Sequence, residues 1–175
     1  MPSLSPSSAD PQDPLAEQPD YVRLLRALVS RAIEALQSDT SFAPMACVLT
    51  VDGELRDLPQ PTEAGLSQID CERHFAALAA EAAASGSIVA AGIVSHILMR
   101  GIAMGDYDGV SSEGVSEGEA IAFNLDHRDS EPFGLHHPFR WRDDGLQFAD
   151  MAMKGFARRF AFVVSGVRGG VWGAG

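Results

Sequence analysis

At 175 residues and 18.6 kDa the chain is sized for one hydrophobic core, since single domains run to roughly 100–200 residues. Apolar residues make up 46% and charged residues 21%, a balance that excludes a wholly disordered chain. The formal charge of −11 argues against unaided binding to nucleic acid or to an anionic membrane surface.

Residues 1–19 hold five of the ten prolines, with four serines, three acids and no Lys or Arg before Arg23. They read as a disordered Pro/Ser-rich leader. A secretory signal needs a basic start and an apolar stretch of roughly 7–15 residues, and a mitochondrial presequence needs arginines; neither pattern is present, so a cytoplasmic location is expected. No run reaches the roughly 18 apolar residues of a membrane span, because the best candidate, Ile88 to Met99, contains Gly92, Ser95 and His96. The two cysteines, Cys47 and Cys71, fall on apolar faces and read as buried, inert thiols. No cofactor is implied.

The first element is a helix from Tyr21 to Gln37, with Tyr21, Leu25, Leu28, Ala32 and Leu36 at steps of three and four and Asp20 as its expected N-cap. Arg23, Arg26, Ser30, Glu34 and Gln37 fill the opposite face. Met45, Cys47, Leu49 and Val51 then alternate toward Asp52-Gly53, which predicts a hairpin with a two-residue type I′ turn. Leu58 to Thr62 breaks the strand, and a second helix is expected from about Ser67 or Asp70 to Ser85, closed by Gly86, with Cys71, Phe75, Leu78 and Ala82 on one stripe.

Ile88 to Met99 is apolar on both faces and predicts a central strand. After a Gly- and acid-rich loop at 101–118, Glu119 to His127 and Phe133 to Trp141 predict an antiparallel pair centred near Glu131, which sets Asp126 opposite His136 and Leu125 opposite His137. Pro138 points to an edge position. Leu146 to Met153 fits strand or helix, Phe160 to Val164 a last strand, and residues 166–175 a Gly-rich tail. The expected architecture is α+β, a single domain over residues 20–165 with a mostly antiparallel five- or six-stranded sheet packed with two helices, in the order α-β-β-α-β-β-β.

That order resembles roadblock, longin-like or profilin-like domains, in which two strands, a helix and three strands build one sheet. Phe42-Ala-Pro-Met-Ala-Cys-Val-Leu-Thr-Val-Asp-Gly-Glu54, the Ile88 to Leu98 strand and Glu119-Ala-Ile-Ala-Phe-Asn-Leu-Asp-His-Arg128 are also similar to a class of small bacterial proteins of unknown function, across about residues 20–142. This second resemblance implies no activity.

Histidine is the residue type that most invites chemistry. His127, His137 and His96 lie on strands expected to be neighbours, and together they would supply a zinc site or a general base. The bland alternative is a cross-strand polar pair of His136 with Asp126, with His127 and His137 at the margin of the apolar face. Adjacent His136 and His137 point to opposite faces, which excludes the paired-histidine motif of zinc peptidases that cleave ubiquitin-like tags. Asp106, Asp108, Glu113, Glu117 and Glu119 are dense enough for calcium but lack the EF-hand spacing. Nucleophile-elbow, P-loop and His-Glu-x-x-His motifs are absent. The expected function is a non-catalytic interaction or regulatory module that associates with itself or a protein partner, with Leu25, Val29, Phe139 and Trp141 as its interface. A metal-dependent enzyme and a small-ligand-binding domain are the alternatives, the latter suggested by Ala90, Ala91 and Gly92.

Overall fold

The computed structural model describes residues 18–100 and 117–148. Helix α1 (Pro19–Ser38) leads to the hairpin β1 (Met45–Thr50) and β2 (Leu55–Asp57), then to helix α2 (Gln68–Ala84). Strands β3 (Ile88–Arg100), β4 (Glu117–His127), β5 (Ser130–Arg142) and β6 (Gly145–Phe148) follow. All six strands form one sheet in the order β2-β1-β3-β4-β5-β6, every neighbouring pair antiparallel. This is the expected α+β class, with β6 as the sixth strand. The expected leader, apart from Gln18 and Pro19, the 101–116 part of the acidic loop, the Phe160–Val164 strand and the Gly-rich tail lie outside the described residues.

Helix α1 starts two residues earlier than its apolar periodicity suggests. Pro19 sits in the first turn and Gln18 is the cap, its side chain accepting from the Asp20 N–H. Proline suits that position because its ring presets the helical φ and its missing N–H has no partner to lose there. Asp20 is therefore not the cap, and its carboxylate is released for other contacts. Tyr21, Leu24, Leu28, Ala32 and Leu36 are buried, with Leu24 in the place expected of Leu25. Leu25 and Val29 are half-buried flanks packed on the same core.

The Asp-Gly signal locates the first hairpin, but its loop is one residue longer than expected. Val51, Asp52 and Gly53 form it, with Gly53 N–H donating to Thr50 O at 3.0 Å and Thr50 N–H to Glu54 O at 2.9 Å. Gly53 takes φ +82° as the third loop residue, the left-handed conformation glycine adopts without strain. β2 is short, and its three residues are exposed.

Helix α2 is capped by Ser67, whose hydroxyl accepts from Asp70 N–H. It ends at Ser85, followed by Gly86 at φ +72°. Its buried stripe is Cys71, Glu72, Phe75 and Ala79 rather than one running to Ala82.

The two helices cover opposite faces of the sheet. α1 lies over β1, β3 and β4, and α2 over β1 and β3. On the α1 side Cys47, Leu49, Ala90, Val94, Ile121, Phe123, Leu125, Leu135 and Phe139 meet the helix residues in one core. On the α2 side Val48, Ile88, Ala91 and Ala79 form a smaller one. Both cysteines are buried and unpaired, and burial pushes the Cys47 thiol up to about 11, so little of it is thiolate near neutral pH.

Gly92 fixes how closely α1 approaches. A Cβ there would lie 2.7 Å from Leu28 Cδ1 and 2.9 Å from Leu125 Cδ2. The small residue accommodates the helix, and the space above it is filled by Leu28 rather than left for a ligand. Because both leucines are buried, Gly92→Ala is expected to lower unfolding free energy by about 1 kcal/mol through overpacking. Gly92→Val should cost more, as read from urea midpoints at constant m.

Candidate functional site

The β4–β5 turn sets the register of the histidine-bearing strands. It is tightest at Arg128-Asp129, where Asp129 N–H donates to His127 Nδ1 at 3.0 Å, and His127 pairs with Ser130 across an irregularity in the ladder. The strands are therefore not centred on Glu131. His136 lies opposite Ala122 and His137 opposite Ile121, while Phe133 takes the place opposite Leu125. The expected His136–Asp126 and His137–Leu125 pairings do not form, because the polar turn closes earlier than the placement of Pro132 suggests. β6 covers only the last four residues of β5, pairing Phe139 with Phe148 and Trp141 with Leu146, so among the described residues Pro138 lies on the outer edge of β5 just before that ladder, as expected.

With this register, His96, His127 and His137 share the α1 face of the sheet. His96 is opposite Ile121, which is opposite His137, so the two histidines lie two strands apart, about 10 Å. His127 is six residues farther along β4 from Ile121, about 20 Å away. The three expected candidates thus share a face without converging. Among the described residues no group of three or more His, Cys, Asp or Glu side chains could hold a metal ion.

His127 is a structural clamp. Its Nδ1 accepts from Asp129 N–H and from the Gln18 amide, at 3.0 and 3.3 Å, which leaves the proton on Nε2 to be donated to Asp20 Oδ2 at 3.3 Å. Gln18 also donates to Ser130 Oγ, and Tyr21 OH donates to Glu131 O at 2.6 Å. Burial, reinforced by the carboxylates of Asp126 and Glu131, raises the Tyr21 pKa, so the phenol stays protonated. Together these bonds tie the start of α1 to the β4–β5 turn. A base needs a nitrogen with an available lone pair, and in this arrangement neither imidazole nitrogen offers one.

His96 belongs to a different assembly. Its Nε2 is 3.0 Å from Glu119 Oε1, and its ring stacks on Phe42 at 5.9 Å and meets Phe139 at 5.4 Å. Phe139 in turn meets Trp141 edge-to-face at 89° and Phe148 at 6.1 Å, while His137 lies 4.4 Å from Phe148. Phe139 is 1% exposed and forms the buried centre. Leu98, at 69%, and Trp141, at 39%, remain open to solvent around it. Of the four expected interface residues, then, Trp141 is exposed, Leu25 and Val29 flank the core, and Phe139 is enclosed.

A third polar contact was not foreseen from the sequence. On the α2 side Ser95 Oγ donates to Glu72 Oε1 at 2.6 Å, and the Gln68 amide donates to the same oxygen at 3.0 Å. Glu72 sits inside the apolar stripe of α2, so an acid at a core position was the signal that could have exposed it. Two neutral donors offset part of the cost of burying its carboxylate.

A scan of protein-family models, a search of curated proteins and a search of solved structures each return no match to the chain. What the protein can do is therefore read from its own side chains. The described surface presents an aromatic and acidic cluster at the far end of β3–β5, a clamp at the start of α1, and buried polar pairs between layers.

Two outcomes test the structural roles. His127→Ala should lower unfolding free energy by about 1–3 kcal/mol, because it strips a partner from the Asp129 N–H and from Asp20 at once; denaturant titration with unchanged m measures this. Burial holds the pKa values of His136 and His137 below the ordinary 6.5. The unfolded chain therefore binds more protons as pH falls, so their contribution is fully present above about 6.5 and is lost progressively below it. Urea midpoints should fall between roughly pH 7 and 5, and His137→Gln should flatten part of that slope.

Proposed function

We propose that this chain is a non-catalytic, cytosolic protein-interaction module whose contact surface is the α1-side end of β3, β4 and β5. One observation carries the reading: Leu98 and Trp141 stand exposed on the same face, around the buried ring of Phe139. Solvent-exposed large apolar side chains grouped on one face are the mark of a contact surface. Trp is also enriched among residues that dominate binding energy. The geometry of the histidines supports the absence of catalysis, since His127 is saturated by structural bonds and His96 is held by Glu119 and two rings.

Self-association through α1 is not part of this proposal, because the core takes up its apolar arc, Leu25 and Val29 included. Arg23, Arg26, Ser30, Glu34 and Gln37 make the opposite face polar and exposed. No described helix is long and apolar enough to cross a membrane.

Native mass spectrometry of the protein isolated from its host tests the proposal. The expected result is a protein-bound species, either a second copy or another chain, that is lost in Leu98→Asp/Trp141→Ser while the circular dichroism spectrum is kept. Recovery of bare monomer from both forms would remove the reading.

A further inference from the structure

We infer that the surface around Glu119 recognises a cation, the guanidinium or ammonium group of an Arg or Lys side chain carried by the partner protein. This rests on the interaction reading above and adds the chemistry of what is bound. Glu119 lies in the cross-strand row Leu98–Glu119–Phe139, so its carboxylate rises between an exposed leucine and the aromatic cluster. Its side chain is 32% exposed. His96 Nε2 holds Oε1 at 3.0 Å, which fixes the carboxylate, while Oε2 has no hydrogen-bond partner among the described residues.

The half-exposed Trp141 ring and the Glu119 carboxylate together select the sign of the charge. Phe42, His96, Phe139 and Trp141 form a continuous chain of ring contacts beside this carboxylate. Aromatic faces carry the negative part of the ring quadrupole and attract cations, and a neighbouring carboxylate adds to that attraction while repelling anions. Core packing explains Phe139. It does not explain why Trp141 stands perpendicular to it with 39% of its surface exposed, or why Leu98 is left open beside a fixed acid. An arginine side chain satisfies all three features: its aliphatic stem covers Leu98, its planar head lies on the Trp141 indole, and its N–H groups reach Glu119 Oε2.

The test uses the full chain and capped tripeptides Gly-Arg-Gly, Gly-Lys-Gly, Gly-norleucine-Gly and Gly-Glu-Gly as probes, followed by amide chemical shifts in NMR. Saturable shifts confined to residues 96–98, 119–121 and 139–141 are expected for the Arg and Lys peptides and not for the other two. Glu119→Gln should weaken the Arg peptide about tenfold, the scale of a lost charge-assisted hydrogen bond. Should that variant lose its fold, Trp141→Leu serves in its place, because it keeps an apolar side chain and removes the π face; weaker Arg binding is again expected. Equal binding of the norleucine peptide, unchanged affinity in the variants, or no response to the cationic peptides would overturn the cation assignment. Loss of the native complex in Leu98→Asp/Trp141→Ser would still stand in that case, which separates failure of this inference from failure of the interaction reading.

Discussion

The contact between Leu28 of α1 and Gly92 of β3 determines most of the architecture. With no Cβ at 92 the helix settles closely onto the central strand, with Leu125 of β4 closing from the side. Once α1 is seated there, its buried stripe covers β1, β3 and β4, and its N-terminus is delivered to the β4–β5 turn. The His127 bonds then fix that end in place. The helix leaves the far ends of β4 and β5 to be packed by rings, and the aromatic cluster around Phe139 is what fills that space.

The sheet is consequently organised as two unlike halves. Near β1 and β3 it is sandwiched between helices, and small residues such as Ala90, Ala91 and Gly92 allow close approach on both sides. Toward β5 and β6 the α1 side relies on side chains of the sheet itself, with Phe139, Phe148, His137 and Trp141 packed against one another. A structure in which one end is closed by backbone elements and the other by side chains confines an exposed contact surface to the second. This is why the open apolar groups and the half-exposed acid occur together.

Much of this fold was legible in the chain. The 3–4 spacing from Tyr21 to Leu36, the alternation into Asp52-Gly53 and the two-sided apolar run at 88–98 are local patterns, and each produced the expected element. The placement of the polar groups was not legible, because it depends on register and on contacts distant in sequence. Moving the β4–β5 turn onto Arg128-Asp129 gave His136 and His137 new partners, Ala122 and Ile121. His127 met Asp20 across 107 residues, and Ser95 met Glu72 across 23. Pro19 displaced Asp20 from its expected capping role and so freed the carboxylate that His127 uses. Trp141 was expected as an edge residue; its exposure is real, but it does not arise from an open strand edge, because β6 pairs Leu146 with it.

The opposite boundary of the sheet has a consequence for the protein at high concentration. β2 offers only three residues, Leu55, Arg56 and Asp57, and the Arg56 guanidinium is held by Glu54 alongside it. An incoming strand would find too short a ladder to repay the loss of those solvated charges, so this border is a poor template for edge-to-edge stacking. The acid before this three-residue strand and the base within it thereby favour dispersed molecules over growing β-aggregates at that side of the sheet.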